Sequence, residues 1–426
     1  MYFSAVWLLA SVGCSPRQEA LPTAPVLEPP SSAPAREPAP PTVENPVFAE
    51  ASNAFGFELW SHLRTSSGNQ VFSPASIAVA LDMAFAGARG ETAEQMARVL
   101  HAPEDAATLH AGAGAALAAW NDPAREAYTL AAANRLYGER SFRFETGFLD
   151  LTRERYGAPL ESVDFVRDAD GSRTRINRWV EVQTRDRIRD LIPAGALTSD
   201  TRLVLVNAVY FLAKWEKPFE RDMTTTAPFF AGGDREVKVP TMHRTDPIQI
   251  GDAPGLQILE LPYRGSDLAM TIVLPRDRTG IEALEAQLDA GKIHTWIEGL
   301  RTARVELALP KFRIAPEPAL SLGDLLREMG MESAFDGRAD FSGIASPVRP
   351  EERLYLSDVF HKAFVQVDEE GTEAAAATAG SMRAFSMQVD PPIVFRADHP
   401  FLFLIRDLRS GTVLFLGRVD DPSDHA

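Results

Sequence analysis

A long connection of low side-chain bulk limits what this chain can fold into. It reads DEEGTEAAAATAGSMRAFSM at positions 368–387 and lies between two apolar segments, 354–367 and 392–407. Both segments have the composition of buried strands. Connections between strands usually take roughly two to six residues, and much longer ones are either functional or disordered. The sequence therefore predicts that this connection has a role of its own.

The alanine tract within the connection suits a strand that can enter an existing sheet. With the period of two of a strand, every second residue from Thr372 to Thr378 is threonine or alanine. Such a face is small enough to slide between two strands without overpacking a core. Gly371 precedes it and can act as a hinge. Because alanine favours helices over strands, the segment is not committed to a sheet, and a flexible linker of small residues is the alternative.

Composition and charge exclude several classes of partner. The chain has 426 residues, of which 45% are hydrophobic and 24% charged, as in globular proteins. Its formal net charge of −16 argues against nucleic acid and anionic membrane surfaces, because each phosphate contact needs a cation. No basic cluster of the kind that binds heparin-like polyanions is evident in the sequence. We interpret the acidity as a source of solubility.

The N-terminus predicts an anchor followed by a spacer. MYFSAVWLLASVGC ends at Cys14, the single cysteine of the chain, which excludes an intrachain disulfide. The segment 1–14 resembles the signal and lipobox of a bacterial lipoprotein, in which Cys14 would be lipidated; an ordinary secretory signal is the alternative. Ten prolines lie within the thirty-one residues 16–46, a composition that favours extended polyproline geometry. We expect a linker at 15–46, a folded domain at 47–422, and a location in the cell envelope or outside the cell.

Within the folded part, helices come first and strands later, which indicates an α+β class and one large domain. Helices are predicted at 53–63, 73–88 and 176–192, with Ser73 as N-cap and Pro74 at the first helical position of the second. Thr92 and Gln95 fit a capping box of a further helix. The segment 201–215 is apolar on both faces and predicts a central strand. Further strands are expected at 256–263, 268–275, 303–312, 354–367 and 411–419.

The sequence offers little support for catalysis. It lacks a phosphate-binding loop, a nucleophile elbow and metal-ligand spacings, so neither a cofactor nor a metal is expected. Ser73, Ser76, Asn207 and His361 lie in the most apolar surroundings. They could be a Ser/His hydrolase site or, as we favour, buried polar residues that hydrogen-bond between elements. A hydrolase would lose activity on Ser73→Ala.

Many short segments resemble one protein family, the serpins. EEGTEAAAAT at 369–378 resembles the hinge of their reactive-centre loop, and FRADHPFLFLIRD at 395–407 resembles the family signature. NQVFSPASI, GARGET, ANRLYG, INRWVEVQT, LELPY, LPKF, ADFSGI and LFLGRV also occur in the family order. The resemblance covers about 370 residues and implies a large central sheet, two smaller sheets and about eight or nine helices.

The resemblance also implies a mechanism and a cleavage position. Serpins are irreversible inhibitors that a serine protease cleaves in a loop, here about 369–391, and that then insert the loop into the central sheet. In the family the cleaved bond follows the residue fourteen positions after the hinge glycine, which is Phe385–Ser386 in this chain. Phenylalanine suits a chymotrypsin-like protease. Arg383, for a trypsin-like enzyme, and Met387 are the alternatives.

Further residues are assigned by the resemblance alone. Ser73, Ser76, Asn207 and His361 would form a polar shutter under the opening strands, and Trp215 would lie where the hinge enters, with Lys311 paired to Glu369. The implied protein is a monomer with a protease as its partner, and the alternative within the family is a non-inhibitory surface-binding protein. The residues assigned to the hinge are Glu369, Glu370, Gly371, Thr372, Glu373, Ala374, Ala375, Ala376, Ala377 and Thr378.

Overall fold

Side-chain caps start several of the helices. The computed structural model describes residues 46–122, 127–158, 160–346, 353–372 and 391–425, all within the compact unit Thr42–Ala426. The second helix begins as predicted. The Ser73 side chain caps it by accepting a hydrogen bond from the Ser76 backbone N–H at 3.2 Å, and Pro74 lies in its first turn. In the described residues the α-helices are α1 (Pro46–Leu63), α2 (Pro74–Phe85), α3 (Gly90–Val99), α4 (Ala106–Trp120), α5 (Thr146–Tyr156), α6 (Ala169–Gln183), α7 (Ile281–Ala286), α8 (Ala290–Glu298) and α9 (Gly323–Glu328).

The predicted capping box at Thr92 and Gln95 is wrong. Helix α3 starts at Gly90 with Arg89 as its N-cap, so both residues lie inside the helix. The Thr92 hydroxyl accepts a hydrogen bond from the Asp340 backbone N–H at 3.0 Å, and the side-chain oxygen Oε1 of Gln95 accepts one from the Ser333 backbone N–H at 2.7 Å. These side chains therefore connect distant parts of the chain instead of capping their own helix.

The predicted helix 176–192 is displaced. Helix α6 starts earlier, where the Asp168 side chain caps it by accepting from the Gly171 N–H at 2.9 Å. It ends at Gln183 because Arg185 and Asp186 adopt left-handed backbone angles, with φ of 52° and 60°. Buried apolar residues at 188–192 lie in irregular chain, which is why the apolar periodicity extended beyond the helix.

The strands form two sheets in the described residues. A central sheet has the order β10-β12-β13-β4-β2-β3, with β11 paired to β12, and a larger sheet has the order β1-β16-β15-β8-β7-β6-β9-β14, with β5 paired to β6. The two smaller sheets that were expected are thus continuous through β6. The strands are β1 (Gln70–Phe72), β2 (Tyr128–Glu139), β3 (Glu161–Val163), β4 (Leu203–Lys214), β5 (Thr225–Ala231), β6 (Arg235–Ala253), β7 (Leu256–Pro262), β8 (Leu268–Pro275), β9 (Arg301–Pro310), β10 (Phe312–Ile314), β11 (Leu320–Ser321), β12 (Leu356–Val367), β13 (Gly371–Thr372), β14 (Ile393–Arg396), β15 (Phe401–Asp407) and β16 (Val413–Val419).

Two neighbouring strands of the central sheet pair in an unusual way. Strands β12 and β4 are parallel and hydrogen-bonded directly, with Leu356 opposite Leu203 and Phe364 opposite Tyr210. Beyond that point the two-residue strand β13 lies between them, antiparallel to both. Strand β4 is almost completely buried, as its apolar composition predicted, and α2 packs against both β4 and β16. The central sheet therefore divides at one end, and the chain that divides it is the predicted hinge.

No helix in the described residues is long and apolar enough to cross a membrane.

Candidate functional site: the hinge and the shutter cluster

A tight turn reverses the chain between β12 and β13. The Asp368 carboxylate accepts hydrogen bonds from the backbone N–H groups of Glu370 at 2.9 Å and Gly371 at 3.2 Å, and the Asp368 N–H donates to the Gly371 carbonyl at 2.9 Å. Burial raises the pKa of Asp368, although these backbone bonds oppose the shift. The turn brings Thr372 opposite Val367. The hinge thus starts a hairpin whose second arm is β13.

Gly371 lies in a position that tolerates no side chain. Its φ is +154°, and a Cβ atom built on it would lie 2.0 Å from the carbonyl oxygen of Ala213 and 2.7 Å from the Cα of Lys214. Both of those residues belong to β4, with which Gly371 is in register. The backbone of the hinge can therefore approach β4 only because this residue is glycine.

Thr372 is completely buried and contacts an aromatic stack. Its hydroxyl lies 2.7 Å from the hydroxyl of Tyr263, whose ring is stacked on Trp215 at 4.7 Å between centroids. The indole N–H of Trp215 donates to the carbonyl of Asp368 at 3.0 Å. Burial raises the pKa of the Tyr263 phenol, so the group stays neutral and can donate or accept. The side chain of the first inserted residue is thus held by a hydrogen bond inside the sheet.

Glu369 is bound by residues outside the central strands. Its carboxylate accepts from the Lys311 ammonium group at 2.8 Å and from the Thr224 hydroxyl at 2.8 Å. Burial opposes ionisation of Glu369, but the hydrogen bonds from Lys311 and Thr224 outweigh it and hold the pKa below its ordinary value. The carbonyl of Glu369 accepts from the Phe219 N–H at 2.7 Å. The structure therefore brings Glu369 and Lys311 together, as the resemblance implied.

Glu370 is bound at the same end of β4. Its carbonyl accepts from the Trp215 N–H at 2.9 Å, and its carboxylate pairs with Arg221. Sequence reasoning missed Arg221, Thr224 and Tyr263, since none of them is close to the hinge in the chain. Tyr263 ends the LELPY segment, so the motif was visible, but its contact with Thr372 was not.

The four residues assigned to the shutter form one buried hydrogen-bonded cluster. Nδ2 of Asn207 donates to the carbonyl of Ser76 at 2.8 Å and to its hydroxyl at 2.7 Å. Nε2 of His361 accepts from the Ser73 backbone N–H at 3.1 Å, and His361 Nδ1 bonds to Oδ1 of Asn207. Asn134, which sequence reasoning did not assign, also bonds to Asn207. We call these five residues the shutter cluster; it joins α2 to β2, β4 and β12.

His361 in this cluster is held neutral. Burial lowers the pKa of His361 to about 3, because removal from water disfavours the charged imidazolium. Nε2 of His361 accepts its hydrogen bond from the backbone N–H of Ser73, while the Ser73 hydroxyl caps α2. The geometry suits a structural connection between helix and strands and does not activate a serine hydroxyl.

Some predicted site residues lie outside the described residues. They are the remaining hinge residues Glu373 to Thr378, the proposed cleavage position Phe385–Ser386, the alternatives Arg383 and Met387, and Cys14.

Comparison with known proteins identifies the family. Residues 50–422 match the family model described as "Serpin (serine protease inhibitor)". The chain is 41% identical over 382 residues to a serpin-like protein of Thermococcus kodakarensis, covering 89% of this chain and 87% of that protein. It is 39% identical over 386 residues to the leukocyte elastase inhibitor of Xenopus laevis, covering 88% and 99%. The crystal structure of uncleaved ovalbumin superposes with a TM-score of 0.79 at 29% identity, covering 88% of this chain and all of ovalbumin.

A chain with this family match and these relatives belongs to a class of protease inhibitors rather than enzymes. The chain is a member of the serpin family. The α+β fold class and the serpin architecture are thereby confirmed. The hydrolase alternative is overturned, because the family is described as one of serine protease inhibitors and relatives such as the leukocyte elastase inhibitors are named as inhibitors.

Proposed function

We propose that this protein is an irreversible suicide-substrate inhibitor of a chymotrypsin-like serine protease, cleaved at Phe385–Ser386. One observation carries the proposal: Gly371 and Thr372 already occupy the space between β12 and β4. Insertion of the residues that follow would extend this existing strand instead of starting a new one. The small side chains at 374–378 fit such an extension.

In the proposed reaction the protease performs the bond cleavage. Its serine hydroxyl attacks the carbonyl of Phe385, the peptide bond to Ser386 breaks, and the new amino group of Ser386 leaves with the proton that the protease histidine supplies. The acyl-enzyme ester joins the protease to Phe385. The freed hinge then inserts between β12 and β4, exchanging their direct pairing for pairing with the new strand. The attached protease is carried with the loop and distorted before water can hydrolyse the ester.

The shutter cluster and the Glu369–Lys311 pair would control when the sheet opens. Insertion requires β12 to move away from β4, and both strands contribute to the cluster through His361 and Asn207. The Glu369 pair fixes the turn at the entry of the gap. These contacts would keep the uncleaved loop out of the sheet beyond Thr372.

Two other functions remain within the family. A trypsin-like protease would cleave after Arg383 if the loop were presented in another register. A non-inhibitory binding protein would form no covalent complex with any protease. The hinge favours inhibition, since Thr372 is already accommodated between the strands without a bulky or charged side chain.

One experiment separates these functions. The protein is incubated with chymotrypsin and with trypsin, and the products are separated on a denaturing gel and analysed by mass spectrometry. We expect a complex stable to denaturation with chymotrypsin and a released fragment that starts at Ser386. Phe385→Ala should abolish complex formation with chymotrypsin, while Arg383→Ala should leave it unchanged. Cleavage without any complex would contradict inhibition.

We also propose that the serpin domain, 47–422, is a monomer held at a bacterial cell envelope by a lipid on Cys14, with 15–46 as spacer. Support comes from the lipobox-like segment 1–14 and the ten prolines that follow. Expression in a bacterial host with labelled palmitate should label the full chain and not a Cys14→Ser variant. Release of both forms into the medium without label would indicate an ordinary secretory signal.

A further inference from the structure

In the described residues, β14 is the first strand after the loop 369–391, and its pairing is short. It lies at the edge of its sheet and pairs with β9 over the four residues Ile393 to Arg396. On its other edge, Nε2 of Gln257 donates to the Val394 carbonyl at a long 3.4 Å. The turn that follows β14 therefore has a large share in fixing the C-terminal end of the loop.

The turn at 397–400 is bound to three different strands. The Ala397 N–H donates to a carbonyl of β9 at 3.0 Å, and the Asp398 carbonyl accepts from an N–H of β5 at 2.8 Å. The third contact is made by a side chain: Nε2 of His399 lies 2.7 Å from the carbonyl oxygen of Pro275, the last residue of β8. Because every residue of β8 is buried, the His399 ring joins the attachment of the loop to the core of the sheet.

Both ring nitrogens of His399 face oxygen atoms that accept hydrogen bonds. Nδ1 lies 2.7 Å from a carboxylate oxygen of Asp398, and Nε2 faces the Pro275 carbonyl. A neutral imidazole has a proton on one nitrogen, whereas the charged form has a proton on each. His399 is only 5% exposed, so solvent offers no ready replacement for a lost bond. With an ionised Asp398, only the imidazolium form of His399 satisfies both contacts.

The surrounding charges favour that form. Burial opposes ionisation of Asp398, but the hydrogen bond and the charge of His399, with a smaller effect from Arg278, hold the pKa of Asp398 below its ordinary value. Asp277 follows β8 and lies close to the ring. Its pKa is lowered mainly by hydrogen bonds from Thr279 and to a lesser extent by the His399 charge. Two carboxylates and one guanidinium thus leave a net negative charge around the ring, which stabilises an imidazolium.

We propose that His399 is a proton-dependent clamp on the C-terminal attachment of the reactive-centre loop. While both ring nitrogens carry protons, the ring holds the turn 397–400 to β8. Loss of one proton removes one of the two hydrogen bonds and sets a lone pair against an oxygen atom, so the turn is weakened and β14 is held mainly by its four-residue pairing. Since the folded partners stabilise the charged form, this contribution is complete below about pH 6.5, the ordinary pKa of an unfolded histidine, and is lost as the pH rises above it.

On the proposed function, which this consequence presupposes, the clamp sets the lifetime of the uncleaved inhibitor. Insertion has already begun at Thr372, and an intact loop can insert further only if its other end yields at β14. We therefore expect the uncleaved protein to lose its capacity to trap chymotrypsin faster after incubation at pH 8.5 than at pH 6.5, when both samples are assayed at one pH.

The clamp itself is tested without a protease, by hydrogen exchange of the uncleaved full chain at pH 6.5 and 8.5, corrected for the intrinsic pH dependence of exchange. We expect the protection of residues 393–397 to fall about tenfold or more in the wild type, because a charge-assisted hydrogen bond is lost. His399→Gln keeps one donor and cannot titrate, so its protection should start lower and stay constant. His294→Gln is the matched control: it removes a histidine whose side chain is 73% exposed and paired with Glu298, so its profile should follow the wild type.

Nitrogen NMR of the imidazole rings detects the proton directly. The signal that is absent from His399→Gln should be that of an imidazolium at pH 7.5, where an exposed histidine is mostly neutral. A neutral ring at that pH, or parallel exchange profiles in wild type and His399→Gln, overturns the proposal. If His399→Gln does not fold, His399→Lys serves instead, because it keeps a charged donor at both pH values and should abolish the pH dependence. Failure of the inhibitor function is distinguishable: no complex with chymotrypsin would form at either pH, while the exchange and NMR results would stand.

Discussion

At the scale of single residues, the hydrogen bond between Thr372 and Tyr263 holds the first inserted side chain in the sheet. Thr372→Val keeps the shape and removes the hydroxyl, so it leaves a buried phenol without a partner. We expect a loss of roughly 1–3 kcal/mol in the free energy of unfolding. Tyr263→Phe in the same chain should recover most of it, and Thr372→Ser should cost less than Thr372→Val. Urea unfolding of these three variants and of Tyr263→Phe alone measures this; additive losses in the double variant would contradict the bond.

The Glu369–Lys311 pair gives a second prediction at this scale. Glu369→Lys replaces a buried carboxylate by a second ammonium group beside that of Lys311, and should lower the free energy of unfolding by roughly 2–4 kcal/mol. Because the entry of the gap is then released, we expect polymers on mild heating, measured by size-exclusion chromatography. Asp150→Lys reverses the charge in the exposed pair with Arg153 and should change stability by only about 0.5 kcal/mol or less. Unchanged monomer yield and heat stability in Glu369→Lys would refute the role of the pair.

His361 predicts acid sensitivity. Its pKa is about 3 in the folded protein against about 6.5 unfolded, so below pH 6.5 the unfolded state binds more protons. The stability that the neutral imidazole contributes is complete above pH 6.5 and is lost at up to about 1.4 kcal/mol per pH unit as the pH falls toward 3. Carboxylates such as Glu369, with a lowered pKa, lose their contribution only at lower pH.

The measurement is urea unfolding between pH 7 and 5, the range in which the contribution of His361 starts to be lost. His361→Gln keeps an acceptor for Ser73 and does not titrate, so its stability should fall less steeply than that of the wild type. Parallel pH profiles of the two proteins would show that His361 does not account for the slope.

At the scale of elements, β13 is the feature on which inhibition depends. Thr372→Arg introduces a long cation at a completely buried position between β12 and β4, where no carboxylate pairs with it in the described residues. Insertion should be blocked, and the protein should become a substrate. We expect the fraction of protease trapped as a covalent complex to fall about tenfold or more, a change equivalent to about 1.4 kcal/mol. Undiminished complex on a denaturing gel would refute the insertion mechanism, provided that the loop is still cleaved.

The elements also indicate how far sequence reasoning reaches. Ser73 was predicted as a cap because a cap depends on three or four neighbouring residues. Thr92 and Gln95 were misassigned because their partners, Asp340 and Ser333, lie more than two hundred positions away. Strand β2 was not predicted, since its alanines at 131–133 carry no strand signal and only pairing with β4 makes it a strand. Likewise the composition of the hinge suggested a segment able to enter a sheet and its resemblance to serpins assigned it, while the contact of Thr372 with Tyr263 needed the fold.

At the scale of the whole molecule, insertion should leave a more stable protein. The uncleaved chain pairs β12 directly with β4, and a complete new strand between them would add two ladders of hydrogen bonds and bury more apolar surface. Cleavage in the loop should therefore raise the thermal unfolding midpoint by roughly 10 °C or more, at a few degrees per kcal/mol. Calorimetry of cleaved wild type and cleaved Thr372→Arg tests this. An equal rise in both would mean that cleavage stabilises the protein by another route.

The burial of Thr372 has a consequence for how the loop can evolve. Since successive side chains of a strand point to opposite faces, fixing Thr372 inward fixes the same orientation for positions 374, 376 and 378 once they insert. Side chains at those positions must fit the packed interior beneath the sheet. The alternating positions and the cleavage region can vary to fit the binding site of a protease. A library of loop variants selected for inhibition should therefore keep small residues at the even positions and diversify at the odd ones. The loop could then acquire new targets without altering the fold that traps them.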